Sequence, residues 1–146
     1  MIKIMKAFTD LEQSKKLAEI LSLESADMAW CNNSIRGVNY IDEYSANLYT
    51  VKEMQECFDK ALNRWNKFWK LIPCWSLAAL ISIIPQELFD GEYIINITEG
   101  CDNKWILTYD HHENRNHSYY GLSTSADNLV DACTDIIIKL KEENLI

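Results

Sequence analysis

The sequence predicts an α+β domain in which helices cover a three-stranded antiparallel sheet, in the order α-α-α-β-β-β-α. The first reason is the run toward the C-terminus. Leu129, Cys133, Ile136, Ile137 and Leu140 recur at helical spacing, with Val130 and Ala132 beside them. The second is the alternation just before it. Tyr93, Ile95 and Ile97 alternate with Ile94, Asn96 and Thr98, and Trp105, Leu107 and Tyr109 alternate with Ile106, Thr108 and Asp110. The third is the turn chemistry of Gly100-Cys101-Asp102-Asn103 between those two runs. Loops this short join antiparallel strands, because parallel strands need a long crossover.

Taken in order, the first helix is expected from Asp10 to Ser22. Thr9 and Glu12 have the spacing of a capping box, and Leu11, Leu17, Ala18 and Leu21 form its apolar stripe. Glu24 to Thr50 reads as a long ordered loop, with a short strand around Tyr40 as the alternative. Its Trp30, Tyr40, Tyr44 and Tyr49 lie among polar residues; an ordered insertion whose tyrosines pack on the core explains them better, and a small-ligand or substrate site would be sought in this 24–50 loop. A second capping box, Thr50 with Glu53, opens a helix that runs to Leu71 and stops before Pro73.

That 50–71 helix carries Met54, Cys57, Phe58, Ala61, Leu62, Trp65, Phe68 and Trp69 on one side. Lys52, Lys60, Arg64, Lys67 and Lys70 lie on the other. Basic residues near aromatics are one pattern for nucleic-acid binding. Trp65 and Trp69 lie on the apolar side, however, so a core helix with a solvated basic face explains the pattern better. Trp75 to Ile84 is apolar throughout and reads as a helix buried on several sides, ended by Pro85. After the hairpin, His111 to Asn116 is a polar loop and His117 to Ser123 a weaker third strand. The last helix spans Ser125 to Asn144, with Ser125 as N-cap. Asp127, Asp131 and Asp135 lie early in it, while Lys139 and Lys141 lie late, as the helix dipole favours.

Composition narrows the functional classes. A chain of 146 residues fits one domain, 1–146, with 73–146 as a helix–three-strand–helix module and 1–72 packed on it. The 48% hydrophobic content argues against a disordered chain. No apolar run approaches a membrane span, and the lysine-broken opening MIKIMKAFTD does not read as a secretory segment, so a cytoplasmic location is expected. The five cysteines form no C-x-x-C pair, and Cys57 and Cys133, on apolar helix faces, read as buried thiols rather than reactive or metal-binding ones. Residues 1–72 hold ten basic and ten acidic side chains. Residues 73–146 hold four and twelve, so the net charge of −8 resides in the C-terminal module. Such a surface repels phosphate backbones and anionic lipid, and it either promotes solubility or meets a basic partner.

No phosphate-binding, G-x-S-x-G or H-E-x-x-H sequence is present, so no catalytic or cofactor residue is assigned and the chain does not read as an enzyme. His111, His112 and His117 cluster beside Asp110 and Glu113, but their spacing matches no metal-ligand pattern, so no metal is assigned. The helix–three-strand–helix order is shared with double-stranded RNA-binding domains. Those grip phosphate with basic residues at the start of the last helix, where this chain has Ser125, Asp127 and Asp131.

Three stretches together resemble a known group: LEQSKKLAEILSLESADM at 11–28, PCWSLAALISIIP at 73–85 and SADNLVDACTDIIIKL at 125–140. They are similar to small uncharacterised proteins encoded by gut Bacteroidetes such as Bacteroides and by their phages and prophages. The last third is also similar in layout to the phage ABA sandwich domain, in which two helices cover a three-stranded sheet. Cys31 to Trp69 lies outside the resemblance. It implies a phage or mobile-element setting and transfers no catalytic residue. The expected function is a non-enzymatic accessory protein that binds another protein. The rival readings are a ligand binder or enzyme using the 24–50 loop, and a nucleic-acid binder using the 50–71 helix. Oligomeric state is left open.

Overall fold

The computed structural model describes residues 5–33, 44–48 and 69–146. The fold is α+β, and its strands form two antiparallel sheets. The elements are α1 (Leu11–Ile20), a 3-10 turn (Leu23–Ser25), β1 (Met28–Asn33), β2 (Tyr44–Leu48), β3 (Trp69–Cys74), α2 (Leu77–Ile83), β4 (Glu87–Leu88), β5 (Tyr93–Glu99), β6 (Trp105–His111), β7 (Ser118–Ala126) and α3 (Leu129–Glu142). The chain gathers into two compact units, Phe8–Ala79, and Met1–Ala7 with Leu80–Ile146.

In the Phe8–Ala79 unit the sheet order is β2-β1-β3. Two expectations are corrected here. Met28–Asn33 and Tyr44–Leu48 are paired strands within the stretch read as a loop, with Met28 opposite Leu48. Tyr40 lies outside the described residues. Trp69–Leu71, expected to end a helix, instead begin β3, whose Trp69 lies opposite Asn33 and Cys74 opposite Met28. Pro73 does not stop the strand, because among the described residues β3 borders only β1 and a proline without an N–H is tolerated on such an outer strand. The remainder of the expected 50–71 helix, including its capping box and most of its basic face, lies outside the described residues.

α1 packs on β3. Its N-cap is Asp10, which accepts the Gln13 N–H while Gln13 returns a bond to the Asp10 N–H. The Thr9–Glu12 box is therefore replaced by one shifted along the chain by a residue. Thr9 cannot serve as cap because it is fully buried, with its Oγ1 bonded to Ser14 Oγ at 2.7 Å and accepting the Trp75 N–H at 3.1 Å.

The C-terminal unit holds the four-stranded sheet β4-β5-β6-β7, one strand more than expected. The hairpin of β5 and β6 pairs as its alternation predicts, Ile95 opposite Tyr109 and Ile97 opposite Leu107. Its turn closes by Gly100 N–H to Lys104 O, with Asn103 in the left-handed conformation at φ 58°. β7 is longer than expected and extends through Ala126, so Ser125 is a strand residue opposite Ile106. The cap of α3 is accordingly Asn128, accepting from the Asp131 N–H, and Asp127 lies outside the helix. α3 packs on β7 and β6. Its Val130, Cys133, Ile136, Ile137 and Leu140 are fully buried, as are Leu107, Tyr109 and Leu122 of the sheet. Burying each large aliphatic side chain contributes about 1.5–3 kcal/mol.

α2 is shorter than expected, and it is not covered all round. Ala78, Ile81 and Ser82, one helical stripe, are exposed, while Ala79, Leu80 and Ile84 are buried. Trp75 lies between β3 and α2 rather than in the helix and is fully buried, its Nε1 donating to Ser25 Oγ at 3.0 Å.

Candidate binding surface

The C-terminal unit concentrates rings at one end of its sheet. Glu87–Leu88 pairs with Ile94 and Tyr93, and the chain reverses through Phe89, Asp90 and Gly91. All three are left-handed, at φ 54°, 55° and 87°. Asp-Gly favours such a turn, but a bulky Phe in this region carries a steric cost of order 1 kcal/mol. The conformation leaves Phe89 47% exposed.

Behind Phe89 the rings are in mutual contact. Phe89 lies 5.3 Å from Tyr119 and 6.2 Å from Tyr93, and Tyr93 meets Tyr119 edge-on at 5.3 Å. Tyr93 also meets His111 edge-on at 5.5 Å, with the His117 ring at 6.3 Å. Such pairs each add about 0.5–1.5 kcal/mol beyond burial. Tyr119 reaches this cluster because β7 bulges between its pairings to Thr108 and Asp110. Gly121, at φ 89°, lies within that bulge and supplies a backbone angle that other residues adopt at a cost.

The three histidines, clustered in the sequence, also lie near one another in space, although adjacent histidines in extended chain usually point apart. His111 and His112 stack at 5.0 Å, and the His117 ring is 6.4 Å from that of His111. His111 Nδ1 accepts the N–H groups of Glu113 and Asn114, each at 3.3 Å, and the His111 N–H donates to the His117 carbonyl at 2.8 Å. An Nδ1 that accepts two donors bears no proton, so in the neutral ring the proton is on Nε2. Nε2 faces Glu92 Oε1 at 3.8 Å. His112 holds the opposite side of the turn, its N–H donating to the Glu92 carbonyl at 3.0 Å. Among the described residues no group of three His, Cys, Asp or Glu side chains is arranged to hold a metal ion. These histidines close a loop and wall an aromatic cluster.

Asp110 precedes His111 on β6. Partial burial raises its pKa, but bonds from Ser118, Asn96 and Thr108 and the charge of Arg115 outweigh this and hold the carboxyl below its usual range. Asn96 Nδ2 donates at 3.0 Å and Ser118 Oγ at 2.8 Å. A shallow depression of about 210 Å³ lined by Thr124, Asp135, Ile138 and Lys139 lies elsewhere on this unit. It is smaller than the roughly 300–1,000 Å³ of ordinary ligand pockets. The Lys139 ammonium there is held by the Ser123 carbonyl at 2.7 Å.

In the Phe8–Ala79 unit, a buried polar cluster joins Thr9, Ser14, Trp30 and Cys74. Trp30 Nε1 donates to Ser14 Oγ at 3.1 Å and to the Thr9 carbonyl at 3.2 Å. Cys74 is fully buried, its thiol donates to the same carbonyl at 3.4 Å, and burial pushes its pKa up. Burial disfavours the thiolate form, and the hydrogen bonds of this cluster tie α1 to β3.

Phe89, Glu92 and Tyr119 were not singled out by the sequence reading. The Asp90-Gly91 pair was the available signal, since it marks a tight reversal just before a strand. No protein-family model matches the chain, and no match is found among curated proteins or among solved structures.

Proposed function

We propose that this is a non-enzymatic accessory protein of a phage or other mobile element, acting by binding another protein through the Phe89–Tyr119–His111 surface. One observation carries the reading: an aromatic side chain is held half-exposed on a backbone that disfavours it. Strain of that kind is retained where the surrounding structure enforces it, and binding sites are one such place. Large exposed aromatics are the usual anchors of protein interfaces. The buried Tyr93 and the histidine-closed loop provide a rigid floor for such an anchor, which lowers the ordering cost of association.

The test is affinity capture from the native host with the wild-type chain and with Phe89→Ala. A partner is expected with the first and depleted at least about tenfold with the second, the scale of an interface anchor. Recovery of no specific partner, or of one indifferent to Phe89, overturns the reading.

A further inference from the structure

Four carboxylates lie on the turn that carries Phe89 or on the histidine loop bonded to that turn. Asp90 is in the turn itself. Glu87 folds toward it, since a Cβ placed on Gly91 would lie 3.3 Å from Glu87 Oε2. Glu92 faces His111, and Glu113 faces His112 at 3.5 Å. An exposed aromatic face among carboxylates attracts cations and repels phosphate. The shape of the cluster then selects among cations. Phe89, Tyr93 and Tyr119 touch one another at 5.3–6.2 Å, so their rings fill the space between them. A quaternary ammonium needs walls standing apart to enclose it, and none stand apart here. What remains is the exposed part of Phe89, on a turn that also carries Asp90 and is flanked by Glu87 and Glu92. A planar guanidinium stacks on an aromatic face while its N–H fork pairs with carboxylates; an ammonium does neither as well.

Resting on the protein-binding reading above, we propose that the partner's contact segment is basic and places an arginine on Phe89, paired with Glu87 and Glu92. The probe is a hexa-arginine peptide, compared with hexalysine and hexaglutamate and followed by amide shifts of the full chain. Arginine peptide is expected to shift Phe89–Glu92, His112 and Tyr119, more strongly than lysine peptide and at lower concentration, with hexaglutamate inert. Phe89→Leu, which keeps an apolar side chain and removes the π face, is expected to weaken binding about five- to tenfold, while Phe89→Trp retains it. Glu87→Gln with Glu92→Gln is expected to weaken it about threefold and flatten its salt dependence.

Shifts spread over Asp127, Asp131 and Asp135 instead, equal binding by Phe89→Leu, or shifts at Phe89 that appear on raising protein concentration without peptide each overturn the proposal. The last outcome means that a second copy covers the surface. The failures of the two readings are distinguishable. A captured partner that depends on Phe89 while the peptide does not bind leaves protein binding standing and removes the arginine. Peptide binding as described without any captured partner removes the protein-binding reading and the partner's arginine with it, and leaves only a surface that stacks guanidinium.

Discussion

Thr134 shows how a single atom can oppose an otherwise apolar seam. It lies on the buried side of α3, 2% exposed, and its hydroxyl has no hydrogen-bond partner among the described residues. A buried donor left unpaired costs about 1–3 kcal/mol, and removing it with a side chain of the same shape recovers part of that. Thr134→Val is therefore expected to raise stability by about 1 kcal/mol, read from the urea midpoint at unchanged slope. Cysteine reactivity is set at the same scale. Burial pushes the Cys133 thiol up to about 12 and raises that of Cys74, whereas Cys101 is exposed on the hairpin turn. Iodoacetamide on the folded protein, followed by peptide mass analysis, is expected to label Cys101 and to reach Cys74 and Cys133 only in denaturant.

At the element scale, the junction of β6 and β7 depends on protonation. Asp110 on β6 accepts from Ser118 on β7 and from Asn96 on β5, so one carboxylate joins three strands. Its folded pKa lies below the ordinary value, despite partial burial, because these bonds and Arg115 favour the charged form. The stabilisation is thus present above the unfolded pKa, about 3.9, and is lost as pH falls through the lower folded value. The urea midpoint is expected to drop between about pH 5 and pH 3, and Asp110→Asn to reduce that drop. A midpoint with the same pH dependence in both chains would remove Asp110 from the account. The α3 terminus is organised similarly by charge, with Lys6 of the N-terminal segment donating to Asp131 at 2.7 Å.

For the whole molecule, the separation of charge matters more than its total. Residues 73–146 carry the entire net charge of −8, and residues 1–72 carry none. Self-repulsion and solubility therefore come from the C-terminal part, and both vanish as carboxylates protonate. A solubility minimum is expected near pH 4.8, the point of zero net charge, measured as turbidity across a pH series. Among the described residues no helix is long and apolar enough to cross a membrane.

The β5–β6 hairpin, its turn and the α3 stripe were legible in the sequence because each depends on neighbours a few residues away. Alternation, turn residues and helical spacing are local signals, and here they agreed with the packing. The Phe8–Ala79 sheet was not legible, because its pairings join distant segments and leave no periodic mark. Trp69 to Leu71 fit a helical stripe as well as a strand, and only the partner strand Met28–Asn33 decided between them. Capping shows the same division. The sequence alone located the start of α1 within a residue, but whether Thr9 or Asp10 caps it depended on Trp75, which takes the Thr9 hydroxyl into the core. The ring cluster proposed as a binding surface belongs largely to the second class. Phe89, Tyr93, His111 and Tyr119 come from a turn and three strands, and strand pairing with a bulge in β7 is what brings their rings together.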